Sequence, residues 1–400
     1  MPISSDKVQV LCGCNDLDAM TAQCALPPFS KVVCEFFSAL SAEIMKHPEA
    51  KQYPDVVTFG FFCRRGNIQR LKDEYSDKIS NRLGRGVSFH IAPSNVPINF
   101  AYSLAAALLA GNSCIVRASS KGFRQIGLVC ECIQNTISLV EFREIASRIS
   151  VICYERSREI NDRLSALADV RIIWGGDATV TELRSSPLSP RAVDIAFADR
   201  YSLAVMDARA VIDTADLKRL AQDFYNDTYL YDQNACSSPR LVYWLGDNED
   251  TASAAELFWE AVHKEAAARY HIEPVVAVDK YTEACRMAIE HNADIRSGKD
   301  NLISRIVVDS LSADLPDHRC AGGSFIEYHS SSLDALKTIV TKKYQTLSYF
   351  GVDRQTLMQF VVGNGLSGID RIVPIGKTAD FSLVWDGYDL IMQMSRVIGF

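Results

Sequence analysis

The sequence lacks long apolar runs, a leader-like start and any concentrated basic tract. No stretch of 18 consecutive apolar residues occurs, so no membrane span is expected. Residues 1–20 have neither a basic start nor a sustained apolar core, which argues against a signal peptide. The formal net charge is −7, and no face rich in basic and aromatic residues offsets it, so nucleic acid is not an expected partner.

Closely spaced cysteine and histidine motifs are also missing. Twelve cysteines in 400 residues are too few for a disulfide scaffold, and none forms a CxxC pair. The seven histidines form neither HxH nor HExxH. Local spacing therefore predicts no metal site, and the cysteine usage predicts a reduced, cytoplasmic protein.

The composition that is present favours a large folded protein. With 48% hydrophobic and 23% charged residues, the chain can bury two or three cores. Strand and helix patterns alternate over residues 87–206, which predicts an α/β fold with a doubly wound parallel sheet. We predict an N-terminal helical layer and nucleotide-binding domain over 1–208 and an α/β catalytic domain carrying a thiol over 209–375. Residues 376–400 are predicted to be a tail that packs back or lies at an oligomer interface.

Three shorter patterns complete this plan. Residues 202–206 are predicted to be a strand of the first domain. In the second domain, residues 273–278 predict a strand and residues 333–343 a helix.

The most legible section is a strand–loop–helix–strand pattern. A strand at 87–91 leads into a loop with two prolines at 92–97, then into an Ala/Leu-rich helix at 100–110 and a strand at 113–117. This order predicts a right-handed crossover between parallel strands. Ligands bind beyond the carboxyl ends of such strands, so the loop is predicted to line a binding crevice.

Two strand ends carry signals for a dinucleotide cofactor. Arg117 ends a strand, and Lys121 and Arg124 follow it without any acidic residue. An arginine there suits a ribose 2′-phosphate and hence NADPH, although a solvated basic helix start is the alternative. Gly175 and Gly176 follow another strand, where backbone N–H groups can approach a phosphate.

Residues 232–239, DQNACSSP, present a thiol in a polar loop between a helical and a strand pattern. Cys236 is therefore a candidate covalent nucleophile, and a small buried packing residue is the alternative. Asn95, between the two prolines of the crevice loop, could hold an oxyanion, or it could be an Asx-turn residue.

A formal GxGxxG motif occurs at residues 363–368. It precedes a run rich in β-branched residues at 369–374 rather than a helix, whereas a dinucleotide fingerprint requires the helix. We therefore interpret the motif as a glycine turn.

Several motifs together resemble the acyl-CoA reductase family of bacterial luminescence, a branch of the aldehyde dehydrogenase superfamily. The resemblance runs with gaps from about residue 27 to the C-terminus and implies an aldehyde-dehydrogenase-like fold. The motifs that carry it are HIAPSNVP at 90–97, GNS at 111–113, WGG at 174–176, NACSSP at 234–239, YQT at 344–346 and DRIVPIG at 370–376.

The resemblance implies a mechanism. Cys236 would attack an acyl thioester, in the first instance an acyl-CoA, to form a thioacyl-enzyme. Asn95 and the Cys236 backbone N–H would hold the oxyanion, and hydride from NADPH would yield an aldehyde. The residues implied to line the cofactor cleft are Ala92, Pro93, Ser94, Arg117, Ser119, Gly175 and Gly176.

Two departures from the superfamily pattern bear on the reaction. Oxidising members carry a glutamate near a segment that corresponds to residues 194–200, which contain none. Water attack on the thioester should then be slow, which favours reduction or transfer to a thiol. Residues 319–323 stand where the superfamily has a Glu-x-Phe contact to the cofactor ribose, so the cofactor is expected to be held either more loosely or by Gln345.

Two other functions remain open. One is the reverse reaction, CoA-acylating aldehyde oxidation, and the other is a non-catalytic scaffold subunit of an acyl-activating complex. The expected partners are an acyl-CoA or acyl-protein thioester, an acyl-activating synthetase and further copies of the chain in a homo-oligomer.

Overall fold

The computed structural model describes residues 7–319 and 321–399. Their contacts divide the chain into two compact units, one of residues 7–198 with 383–399 and the other of residues 199–382. None of the helices in the described part of the chain has the length and apolar character that a membrane crossing requires.

Within residues 7–198, the first unit is built on seven strands and eight α-helices. The strands are β1 (Gln9–Gly13), β2 (Arg82–Gly84), β3 (Val87–Ile91), β4 (Ser113–Arg117), β5 (Ile149–Cys153), β6 (Val170–Trp174) and β7 (Val193–Phe197). The helices are α1 (Lys31–Lys46), α2 (Pro54–Phe62), α3 (Arg65–Ile79), α4 (Asn99–Leu109), α5 (Arg124–Ile137), α6 (Arg143–Ala146), α7 (Arg158–Leu167) and α8 (Asp177–Arg184).

Six of these strands form one sheet in the order β1-β5-β4-β3-β6-β7. Only β1, at an edge, runs antiparallel to its neighbour; the remaining pairs are parallel. All five residues of the central strand β3 are buried, as expected where helices cover both faces of a parallel sheet. The predicted doubly wound sheet is confirmed, and β4, β3 and β6 lie side by side.

The turn after α4 sets the start of β4. Gly111 has φ +93°, and a Cβ there would lie 2.0 Å from the Leu26 carbonyl oxygen, so the position requires glycine. The buried Asn112 side chain accepts hydrogen bonds from the backbone N–H groups of Arg85 (2.7 Å) and Gly86 (3.2 Å). The GNS motif at 111–113, one of those that carry the family resemblance, therefore fixes the backbone between α4 and β4.

The described residues of the second unit form seven strands and six α-helices. The strands are β8 (Tyr201–Asp207), β9 (Pro239–Leu245), β10 (Asp294–Ser297), β11 (Ser304–Val307), β12 (Ser324–Ser330), β13 (Tyr344–Phe350) and β14 (Arg371–Pro374). The helices are α9 (Ala208–Asp213), α10 (Leu217–Thr228), α11 (Asn248–Arg269), α12 (Pro274–His291), α13 (Leu336–Ile339) and α14 (Arg354–Gly363).

These strands form a second sheet in the order β10-β11-β12-β9-β8-β13-β14, with only β10 antiparallel. A buried carboxylate organises one face of it. Glu327 accepts hydrogen bonds from the indole N–H groups of Trp244 (2.8 Å) and Trp259 (2.9 Å) and from Arg305 Nε (2.6 Å). Its charge is thereby paired and hydrogen-bonded, as burial requires.

Three sequence predictions are wrong in placement or type. The strand at residues 202–206 exists as β8, but it pairs with β9 and β13 in the second sheet, because an apolar strand pattern does not specify which sheet it joins. Residues 273–278 begin helix α12, with Pro274 at its first turn, where proline needs no N–H partner. The helix predicted at 333–343 is reduced to the four-residue α13.

The glycine motif at 363–368 begins at the last residue of α14 and precedes β14, with Gly365 at φ +57°. The interpretation as a turn is confirmed.

The C-terminal segment returns to the first unit. It forms β15 (Val384–Trp385), β16 (Tyr388–Asp389), α15 (Leu390–Met394) and β17 (Ser395–Val397), and β17 pairs antiparallel with β2. Arg82 Nε donates to Ser395 Oγ at 2.7 Å, and the Asn112 amide donates to the Met394 carbonyl at 3.0 Å. The units thus divide at 198/199 and 382/383, whereas the sequence prediction divided the chain at 208 and 375.

Candidate active site

The loop that carries the candidate thiol begins with two left-handed residues. Asp232 and Gln233 have φ values of +50° and +60°, which reverse the chain directly after a 3₁₀ turn at Tyr229–Tyr231. The Ala235 carbonyl then accepts a hydrogen bond from the Ser238 N–H at 3.0 Å, which places Cys236 in the middle of a tight turn. Cys236 is half-buried, so the thiol is neither sealed in the core nor fully solvated.

Gln233 fixes this loop to the second sheet. Its side chain is fully buried, and its Nε2 donates to the carbonyls of Pro239 (3.0 Å) and Ser324 (2.9 Å). Its Oε1 accepts from the backbone N–H groups of Gly323 and Ser324, both at 3.1 Å. One amide therefore joins the thiol loop to the beginnings of β9 and β12. The sequence pattern of the loop gives no sign of this role.

The thiol itself lies beside β13. Gln345 Nε2 donates to Cys236 Sγ at 3.4 Å, and Thr346 Oγ1 donates to Gln345 Oε1 at 3.3 Å. From β8, Ser202 Oγ donates to the Cys236 carbonyl at 2.6 Å. Gln345 was predicted as a cofactor contact; the structure puts it next to the thiol, and its contact with a cofactor stays a prediction.

A polar cavity of about 560 Å³ adjoins this loop within the second unit. Its lining includes Asn234 of the thiol loop, Arg240, Asp279 and Glu283 of α12, and Arg319. Its volume falls in the range of small-molecule sites.

In the first unit, the predicted cofactor residues gather at the carboxyl ends of three neighbouring strands. Residues 92–95 follow β3, Arg117 ends β4, and Gly175 and Gly176 follow β6, and these three strands are neighbours. The Ala92 N–H donates to the Arg117 carbonyl at 3.0 Å, which ties two of these ends together. Pro93 is half-buried, whereas Ser94 and Asn95 are exposed. The role of Asn95 as an oxyanion donor stays a prediction.

Arg117 is held by the segment after β5. Its Nη2 donates to the Tyr154 carbonyl at 3.1 Å, and its guanidinium lies 4.7 Å from the centre of the Tyr154 ring, within cation–π range. The other two predicted cations differ: Arg124 forms a bidentate ion pair with Glu49 (2.8 and 2.5 Å), and Lys121 is exposed.

A second cavity, of about 470 Å³, opens beside these residues. Ser119, Ser120 and Lys121 form one side of it, and Ile126 and Gly127 of α5 form another. Ser119 Oγ also accepts from the Lys121 N–H at 3.2 Å, which shapes the loop. Ser119 thus lines a cavity large enough for part of a nucleotide.

The two glycines after β6 differ in what they offer. The Gly175 N–H already donates to the Phe197 carbonyl at 3.1 Å, so it is not a free phosphate donor. A Cβ on Gly175 would lie 3.2 Å from Thr179, whereas Gly176, at the N-cap of α8, has no atom within 4 Å of that position. Open space for a ligand therefore lies at Gly176.

The two carboxylates of segment 194–200 are engaged elsewhere. Asp194 accepts from Arg171 Nη2 at 2.7 Å and lies 3.4 Å from Arg184 Nε. Asp199 forms an ion pair with Arg319. Neither carboxylate is placed as an unpaired base.

A buried network near the cofactor edge was not singled out from the sequence. His90 Nδ1 lies 2.6 Å from Ser103 Oγ, which also accepts from Trp174 Nε1 at 2.9 Å. Burial lowers the pKa of His90 to about 3, so the ring is neutral. The signal in the sequence is a polar residue in the middle of a fully buried strand.

The parallel sheets and the thiol-bearing turn define an α/β protein with the aldehyde dehydrogenase fold. Aldehyde dehydrogenase 21 from Physcomitrella patens, solved with the reaction product succinate, has a TM-score of 0.65 at 13% identity, covering 100% of this chain and 96% of that one. At that identity the likeness establishes the fold alone.

Residues 67–397 match the acyl-CoA reductase (LuxC) family, and the chain belongs to it. It is 32% identical over 168 residues to the long-chain acyl-protein thioester reductase of Aliivibrio fischeri, which covers 41% of this chain and 33% of the relative. It is 24% identical over 322 residues to the enzyme of that name from Photorhabdus luminescens, covering 78% and 63%. The matched part of the chain thus spans about a third of the length of the first relative and less than two thirds of the length of the second.

Proposed function

We propose that this protein reduces an acyl thioester to an aldehyde with NADPH, through a thioacyl intermediate on Cys236. The observation that carries the proposal is the half-buried Cys236 thiol with the Gln345 amide N–H directed at its sulfur. A thiol in this setting has both access and a donor that stabilises its thiolate, which is the nucleophilic form.

The chain's own residues account for the covalent steps. Cys236 Sγ attacks the thioester carbonyl carbon, a new C–S bond forms, and the bond to the departing thiolate breaks. The Cys236 backbone N–H is the proposed oxyanion donor. NADPH, when bound, would supply the hydride that reduces the acyl carbon. Release of the aldehyde then requires Sγ to leave as a thiolate, which the Gln345 N–H again stabilises.

The proposed cofactor site is the carboxyl edge formed by β4, β3 and β6. Arg117 Nε is buried and makes no hydrogen bond within the described residues, so the protein itself leaves one donor of this guanidinium unused. The open space at Gly176 and the cavity lined by Ser119 suit a phosphate and a nucleotide. Arg117 suits the additional phosphate that distinguishes NADPH from NADH.

Reduction is favoured over hydrolysis because a general base is not provided by segment 194–200. Both of its carboxylates are held in ion pairs with arginines. A thioacyl-enzyme would therefore persist until hydride or a thiol arrives.

For the substrate we propose an acyl-CoA, and the names of the relatives make a long-chain acyl-protein thioester the alternative donor. An acyl-activating synthetase is the proposed partner that supplies it. The reverse reaction would use the same residues, because the steps on Cys236 are reversible.

The experiment uses radiolabelled long-chain acyl-CoA. Wild-type protein should acquire label, and addition of NADPH should release it as aldehyde. Cys236→Ala should abolish both steps, whereas Cys285→Ala, which removes an exposed thiol on α12, should change neither. Label on Cys236→Ala would refute the role of Cys236 as the nucleophile. A wild-type chain that never acquires label from acyl-CoA or acyl-protein would instead support a scaffold function.

A further inference from the structure

Two histidines that are far apart in the sequence meet at the end of helix α12. His291 is the last residue of α12, and His318 follows the 3₁₀ turn at Leu315–Asp317. Their Nε2 atoms face each other at 3.1 Å. His318 is buried, with only 4% of its surface exposed.

Carboxylates surround the facing nitrogens. Glu290 Oε2 lies 3.3 Å from His318 Nε2, and Asp314 Oδ2 lies 3.5 Å from His291 Nε2 and 4.0 Å from His318 Nε2. Glu290, His291 and His318 each offer a ligand atom within 4.8 Å of the others. Zn–N and Zn–O bonds of about 2.1 Å in a tetrahedron separate ligand atoms by about 3.4 Å, close to the spacings found.

The orientation of His318 is that of a metal ligand. Its other ring nitrogen, Nδ1, lies 2.8 Å from Glu283 Oε1, so Nδ1 carries a proton and donates it to the carboxylate. Nε2 then presents its lone pair toward His291 Nε2 and Glu290 Oε2, where a cation can bind. A carboxylate that orients a histidine toward zinc is a recurrent arrangement.

The charge of the surroundings also favours a cation. Arg286 Nε pairs with Glu290 Oε1 at 3.2 Å, which leaves Oε2 directed at the histidines. Against this one guanidinium stand the carboxylates of Glu283, Glu290 and Asp314, so the cluster has an excess of negative charge.

We propose that His291, His318 and Glu290 bind a zinc ion, with Glu283 orienting His318. Imidazole nitrogens with a carboxylate oxygen suit Zn²⁺, and a water molecule would complete the tetrahedron. The ion joins the C-terminal end of α12 to the turn before β12. Local motif spacing could not reveal the site, because 27 residues separate the two histidines.

The test measures zinc on untagged protein whose thiols have been alkylated, so that cysteines cannot bind the metal. After dialysis against EDTA, the chain is titrated with zinc chloride in competition with a chromophoric chelator. We expect one equivalent per chain and four-coordinate visible absorption when cobalt is used. His291→Gln and His318→Gln should each lose the stoichiometric site, and Glu283→Gln should bind zinc about 10–100-fold more weakly.

The matched control is His263→Gln, which removes an exposed histidine paired with Asp300 at 2.5 Å and should leave zinc binding unchanged. Thermal unfolding, measured in EDTA and again with zinc, distinguishes a folding defect from the loss of a ligand. Variants that unfold at the same temperature as wild type in EDTA, and that zinc does not stabilise, support the site. Wild-type protein that binds no zinc, or variants that bind zinc as tightly as wild type, would overturn the proposal.

Discussion

Gln345 Nε2 donates a hydrogen bond to Cys236 Sγ at 3.4 Å, across the join between β13 and the thiol loop. A donor at this distance stabilises the thiolate more than the neutral thiol, because the hydrogen bond strengthens when the sulfur is charged. The same contact serves the attack and the release steps of the proposed reaction, since both involve a thiolate.

Gln345→Leu should therefore raise the pH at which Cys236 becomes reactive. A hydrogen bond to a charged group contributes about 1.5 kcal/mol, so the midpoint of alkylation should move up by about one pH unit. Peptide mass spectrometry of iodoacetamide-treated protein measures the rate at each pH. Cys285, exposed on α12, is the internal reference and should keep its profile; an unchanged profile at Cys236 would remove Gln345 from the mechanism.

Gln233→Met should loosen the thiol loop, because methionine keeps the shape but makes none of the four hydrogen bonds. Backbone groups of Pro239, Gly323 and Ser324 would then be buried without partners, at about 1–3 kcal/mol for each unpaired group. We expect the free energy of unfolding in urea to fall by more than about 2 kcal/mol and the acylation of Cys236 to slow.

The control for that variant is Gln355→Met, on the exposed side of α14, which should change the free energy of unfolding by less than about 0.5 kcal/mol. Equal effects at positions 233 and 355 would show that the buried amide does not hold the loop.

Arg117→Ala should weaken NADPH binding more than NADH binding, because only NADPH carries the phosphate that a guanidinium would pair with. We expect the dissociation constant for NADH divided by that for NADPH to fall about tenfold or more. Nicotinamide fluorescence without substrate measures both constants. Lys121→Ala is the matched control, since Lys121 is an exposed cation of the same loop. Equal losses for both cofactors would assign Arg117 to packing against Tyr154.

What could be predicted from the sequence is what depends on neighbouring residues. The alternation from β3 to β6 and the turn after α14 follow from local patterns, and the structure has them. The sheet to which β8 belongs depends on distant partners, and the β-branched start of α12 fits either a strand or a helix.

The same limit applies to the site. The thiol loop was recognised from its own residues, but Gln345 is 109 positions away, and only the pairing of β8 with β13 brings it to the sulfur. The assignment of the remaining site residues, the homo-oligomeric state and the cytoplasmic location stay predictions.

His90 should make stability fall as the solution is acidified. Burial lowers its pKa to about 3 in the folded protein, against 6.5 for an unperturbed histidine. Between these values the unfolded chain binds the extra proton, so the free energy of unfolding declines as the pH falls below 6.5, by up to about 1.4 kcal/mol per pH unit. His90→Asn does not titrate there; it should be less stable at neutral pH, and its deficit relative to wild type should shrink on acidification. Urea denaturation from about pH 5 to pH 7.5 measures the difference, with the exposed His271→Gln as control. A deficit of His90→Asn that stays constant over this range would mean that His90 can be protonated in the folded state.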